Sequence, residues 1–162
     1  MKKTMFFAVA VVLLVSCFSS CAIAYQIQDS YSKDSLCGQK LYYSSDFEKL
    51  TSEKEICDYI AERVKYKKDG HDATGPEETL KRGYGDCKAF SILYMDIAYF
   101  AFFKKYSAGA VNTGRKIVEG GTVNHCIVVR PDGSQLEPQS GGTVDYKLGY
   151  IFSFDEVFSG GF

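Results

Sequence analysis

Three residue types that together perform acyl chemistry occur along this chain in a workable order: Cys87, His125 and Glu137. Cys87 ends the run Gly83-Tyr84-Gly85-Asp86-Cys87, where a glycine-punctuated turn enters a long apolar segment that reads as a helix. A cysteine attacks as thiolate, and a helix N-terminus favours that anion through its unpaired amides and partial positive charge. A neighbouring imidazole completes the activation as a thiolate–imidazolium pair. The first amide of the helix is also placed to receive an oxyanion. The glycines at 83 and 85 allow the tight turn that leaves the sulfur accessible.

His125 lies in the strand-like run Val123 to Arg130, and Glu137 follows a Pro131-Asp132-Gly133 turn. A hairpin turning there brings His125 and Glu137 alongside, so that the carboxylate can orient the imidazole. Taken singly, each residue has a plainer reading: a core thiol, a structural histidine, a hairpin surface charge. Their order, with the glycine turn just before the thiol, favours the triad. Alternation points Cys126 and Asn124 away from His125, which makes Cys126 a core residue. Asp145 is a competing orienting group with weaker pattern support. The other histidine, His71, reads as a solvated loop residue.

The elements that must position these groups are legible in outline. Ser52-Glu53-Lys54-Glu55 opens an amphipathic helix through Ile56, Tyr59, Ile60 and Val64, ending near Lys65. A polar loop runs from Lys67 to Gly75, and Pro76 starts a short helix stopped by Gly83. The stretch from Cys87 to Tyr106 is apolar nearly all round, so it reads as a buried central helix with Asp86 as its N-cap. After Gly109 the texture turns to strands: Ala110 to Asn112, Lys116 to Glu119, Val123 to Arg130, Ser134 to Glu137 and Tyr150 to Phe154. Helices first and an antiparallel sheet second define an α+β domain.

The chain has 162 residues, 46% of them hydrophobic, enough for one domain and little more. Its net charge of -1, without a basic block, argues against a nucleic-acid partner. Lys2, Lys3 and the apolar Met5 to Val15 read as an export signal, the apolar run being too short for an ordinary membrane span. Leu14-Val15-Ser16-Cys17 resembles a bacterial lipobox with Cys17 as the lipidated residue. Ala22-Ile23-Ala24 offers ordinary cleavage before Tyr25 instead. Residues 1–24 are therefore expected to be a signal peptide, 25–45 a polar tether, and 46–162 the domain. Export leaves open a Cys37–Cys57 disulfide, the alternative being Cys57 as a small helix residue. The cysteine spacing suits no zinc site.

Pro76-Glu77-Glu78-Thr79-Leu80, Gly83-Tyr84-Gly85-Asp86-Cys87, Phe90-Ser91 and Leu93 resemble the core of the transglutaminase-like superfamily, whose fold is papain-like. His125 with the hydrophobic run after it, and Leu136-Glu137-Pro138, resemble that family's histidine strand and acid-proline segment. The resemblance covers about Glu53 to Gln139. It implies Cys87 as nucleophile, His125 as base and acid, and Glu137 as the orienting carboxylate. Tyr66 stands where the family often has an aromatic and is a candidate oxyanion side chain. The departures are a glutamate where aspartate is common, Cys126 and Ile127 where an aromatic often follows the histidine, and Lys88 after the nucleophile.

The expectation is an exported bacterial cysteine enzyme, periplasmic, outer-membrane lipidated or secreted, acting on a peptide or amide bond through a thioester. It needs no cofactor or metal, and its membrane contact is limited to the Cys17 lipid. Transglutamination or deamidation of protein glutamine is the alternative activity, and an inactive envelope binding domain of the same fold is the alternative from another class.

Overall fold

The computed structural model describes residues 36–68, 74–116 and 122–159, which belong to one compact unit, Leu36–Phe162. A 3-10 turn, Phe47–Lys49, precedes helix α1, Glu53–Arg63. Ser52 caps α1 by accepting from Glu55 N at 3.3 Å, and Glu55 reaches back to Thr51 N at 2.6 Å. Two-residue strand β1, Lys65–Tyr66, leads on to helix α2, Pro76–Arg82, then strand β2, Tyr84–Gly85, and the central helix α3, Cys87–Phe102. Strands β3 (Ser107–Lys116), β4 (Thr122–Val129), β5 (Gln135–Glu137), β6 (Gly142–Val144) and β7 (Leu148–Phe152) follow, with helix α4, Phe154–Val157, after them.

The last five strands form one antiparallel sheet in the order β6-β5-β4-β3-β7. The molecule is thus of the α+β class, as the strand texture after Gly109 led one to expect. Helix α3 packs between this sheet and α1, and from Cys87 to Ala98 every residue except Lys88 is buried. Phe47, Ile56 and Ile60 from the N-terminal elements and Ile127, Val128, Leu136 and Phe152 from the sheet complete the core.

The sheet is curled, and chain length requires it. Strands β6 and β7 lie at opposite edges, four strand spacings apart, which is about 19 Å in a flat sheet. Only residues 145–147 join them, and the four Cα steps from Val144 to Leu148 reach at most about 15 Å. Curling also fills the concave side: a Cβ at Gly109 would meet Val129 Cγ2 at 2.9 Å, Leu148 Cδ2 at 3.1 Å and Ile127 Cγ1 at 3.2 Å. From Cys126 to Val129 both faces of β4 are buried, which explains the apolar run there.

Several expectations are corrected. Residues 36–45 are not a tether: Leu36 is buried, Gln39 N donates to Val157 O at 2.8 Å, and Tyr42 N donates to Asp96 Oδ1 at 2.9 Å. Local polarity suggested a free segment, but its backbone finds acceptors on α3 and α4. The Cys37–Cys57 disulfide does not form. Cys57 is a free thiol beneath the β5–β6 turn, where its sulfur would lie 3.6 Å from a Cβ at Gly141. Ala110 to Asn112 and Lys116 belong to one strand, β3, whose pairing with β4 shifts register between Asn112 and Lys116. The last strand stops at Phe152, because Ser153 and Glu156 form a capping box that starts α4. The parallel β1–β2 pair and β6 were not foreseen. The export signal, Cys17, the remainder of the tether and His71 lie outside the described residues. Among the described residues no helix is long and apolar enough to cross a membrane.

Candidate active site

Two glycines shape the approach to Cys87. Gly83 ends α2 with φ at +68°, a left-handed cap that glycine adopts without steric cost. At Gly85 an added Cβ would sit 2.7 Å from Ala89 Cβ, so only glycine lets β2 pass this close to the first turn of α3. Strand β2 is held against β1 by Lys65 N to Gly83 O at 2.9 Å and Lys67 N to Gly85 O at 2.8 Å.

Asp86 caps α3. Its Oδ1 accepts from Lys88 N at 2.9 Å and Ala89 N at 3.1 Å, while its carbonyl accepts from Phe90 N at 3.0 Å. The cap thereby occupies the second and third amides of the helix and leaves the first, Cys87 N–H, outside it. Lys88 Nζ stands 3.6 Å from Asp86 Oδ2, so the lysine after the cysteine balances the charge of the buried cap.

His125 and Glu137 are joined by the hairpin. The ladder pairs Val128 with Leu136 and Val129 with Gln135, so Glu137 falls diagonal to His125 on the same face. His125 Nε2 and Glu137 Oε2 share a hydrogen bond. Cys87 is the ring's other side-chain partner. These two bonds, Cys87 first and Glu137 second, outweigh burial and raise His125 from 6.5 to about 10. Both partners favour the charged form of the ring. Glu137 is itself buried, and Asp145 is exposed; the carboxylate on the histidine is Glu137.

The other thiols differ in kind. Cys126 is buried in the core, and burial first, with Cys87 next, pushes its thiol up to about 12. Burial likewise pushes Cys57 up to about 11. Tyr66 is half exposed, its ring 6.2 Å from that of Phe90. Burial first, and then the charges of Cys87, Asp86 and Glu137, raise its phenol and keep the hydroxyl protonated. Among the described residues no group of three or more His, Cys, Asp or Glu could hold a metal ion.

No protein-family model, no curated protein and no solved structure matches this chain.

One residue at the site had no signal in the sequence. Tyr146, in the link from β6 to β7, stands edge-on to His125, with ring centroids 5.9 Å apart and planes at 88°. Neither spacing nor local pattern could reveal it, since the link crosses the sheet only because the sheet is curled.

Proposed function

We propose that this chain is an exported cysteine enzyme of transglutaminase-like type, with a papain-like core, which cleaves a peptide or amide bond through a thioester. The observation that carries this reading is His125, hydrogen-bonded through Nε2 to Glu137 and with Cys87 as its other side-chain partner. A half-buried histidine whose charged form is favoured, set against a thiol at a capped helix N-terminus, has a chemical use that a merely structural histidine lacks.

The steps follow from the groups present. The Cys87 thiolate attacks the amide carbonyl carbon, and the carbonyl oxygen becomes an oxyanion that accepts from the uncapped Cys87 N–H, with the Tyr66 hydroxyl as a second donor. As the C–N bond breaks, His125 gives its proton to the departing amine, and the acyl group remains on Sγ as a thioester. Now neutral, His125 takes a proton from an incoming water whose oxygen attacks the thioester carbonyl. The C–S bond breaks, the acid leaves, and the thiolate–imidazolium pair is restored. Glu137 keeps the ring oriented and its charge compensated throughout.

Mass spectrometry after brief iodoacetamide treatment near pH 6 tests the nucleophile. Modification is expected at Cys87 well ahead of Cys57 and Cys126, whose burial holds them protonated. Equal, slow labelling of the three would remove the catalytic reading. Incubating wild type and Cys87→Ala with cell-envelope proteins and peptides then separates the reactions. New termini mean hydrolysis, a mass gain of about one dalton at glutamine means deamidation, and cross-links mean transamidation.

A further inference from the structure

Gln135 fastens Tyr146 at two points. Its Oε1 accepts from Tyr146 N at 2.8 Å, and its Nε2 donates to Tyr146 O at 3.0 Å. A side-chain amide thus imitates one rung of a sheet ladder, engaging both backbone polar groups of a single loop residue. Gln135 is on β5, two residues before Glu137, so the strand that supplies the carboxylate also fixes the tyrosine. Tyr146 lies on the three-residue link that closes the curled sheet, and its ring meets His125 edge-on. The ring remains 39% exposed, so it stands at the rim between the histidine and solvent.

We propose that Gln135 and Tyr146 form a positioning device for the triad. The clamped tyrosine acts as a wall that holds the His125 ring in register with Glu137 and Cys87 and restricts water at that edge. This rests on the cysteine-enzyme reading for its purpose, although its geometry stands without it. An imidazole held by Glu137 at Nε2 can still tilt about that bond, and an edge-on ring opposes the tilt. Sequence distance makes the arrangement notable. Two connections of the chain, the β4–β5 hairpin and the 145–147 link, return to one histidine.

The groups facing His125 are Cys87 from α3, Glu137 from β5 and Tyr146 from the link. Asp145 and Lys147 flank the tyrosine as exposed charges. Loss of the wall has two opposed effects on the ring. Easier hydration favours the imidazolium, whereas looser hydrogen bonds disfavour it. The edge-on ring keeps the imidazole aligned with Glu137 Oε2, so its removal loosens that bond and the titration midpoint falls.

The test uses full-length mature protein, with His125 followed by NMR across pH and Cys87 followed by its rate of iodoacetamide modification. Tyr146→Ala and Gln135→Leu should each lower the His125 midpoint by roughly one unit and slow Cys87 modification several-fold near pH 6. Tyr146→Phe, which keeps the ring, should match wild type in both. Thermal midpoints measured alongside show whether a variant is folded, and Gln135→Leu serves where Tyr146→Ala is not. Unchanged His125 titration in both folded variants overturns the proposal, whatever the reactivity of Cys87. A lowered midpoint in a protein whose wild-type Cys87 is unreactive supports the device and overturns the enzymatic reading alone.

Discussion

At the scale of single residues, the site depends on how much of the histidine's charge each partner holds. Cys87 and Glu137 together raise His125 to about 10, so the contribution to folding is fully present below about 6.5 and is lost as pH climbs through about 10. Glu137→Gln keeps the shape and a hydrogen-bonding oxygen but removes the charge, so the His125 midpoint should fall. Activity should drop on the order of ten-fold or more, yet far less than in Cys87→Ala, because the nucleophile and the uncapped amide remain. Glu137→Asp should retain part of the activity. Unchanged kinetics and titration in Glu137→Gln would reduce the triad to a Cys-His dyad.

At the scale of elements, two junctions set the geometry. The first is the approach of β2 to α3 at Gly85. Gly85→Ala would drive a methyl into Ala89 Cβ at 2.7 Å, both on backbone that cannot rotate away. A loss of about 1–3 kcal/mol is expected from overpacking, with Cys87 modification slowed because its helix turn must shift. Denaturant midpoints with unchanged m-values would measure this, and wild-type stability would show that the turn yields freely. The second junction is the β4–β5 hairpin. Arg130 donates to both Glu53 oxygens at 3.0 and 2.9 Å and, through Nη1, to Ser134 Oγ and Gln135 O at 3.2 Å each. It ties the turn to α1, and so fixes where β5 presents Glu137. Gly133, with φ at +86°, and the Asp132 side chain accepting from Ser134 close the turn itself.

At the scale of the whole molecule, the central helix carries a buried carboxyl group. Asp96 is fully buried in α3, with Oδ1 accepting from Tyr42 N and Oδ2 without a hydrogen-bond partner among the described residues. Burial raises it from 3.8 to about 8, against the opposing pull of the Tyr42 bond. A carboxyl raised on folding contributes most below its unfolded value, and that contribution declines between about pH 4 and 8 as only the unfolded chain ionises. Asp96→Asn keeps an acceptor for Tyr42 N and cannot ionise. Its thermal midpoint should therefore gain on wild type as pH rises from 4 to 8, with the difference levelling above. Parallel pH profiles for the two proteins would mean that the site is hydrated. Asp96 also anchors the segment expected to be a tether, so residues 36–45 belong energetically to the domain.

What could be known from the sequence alone was whatever is encoded locally. The caps at Ser52 and Asp86, the Pro76 start and Gly83 stop of α2, and the apolar circumference of α3 all depend on residues within a turn or two of one another. The register of the β4–β5 hairpin is equally local, because a short turn leaves it little freedom, and it sufficed to set Glu137 beside His125. The partnership of Cys87 with that pair was readable only as an order of residue types. Its realisation depends on α3 packing against β4, a contact between segments nearly forty residues apart. The tertiary structure alone decided the rest. Residues 36–45 look polar and unattached until Asp96 and Val157 supply acceptors, and Cys57 looks ready to pair until the Gly141 turn covers it. Tyr146 meets His125 only because three residues must bridge two edges of one sheet, a constraint of chain length that no local pattern expresses.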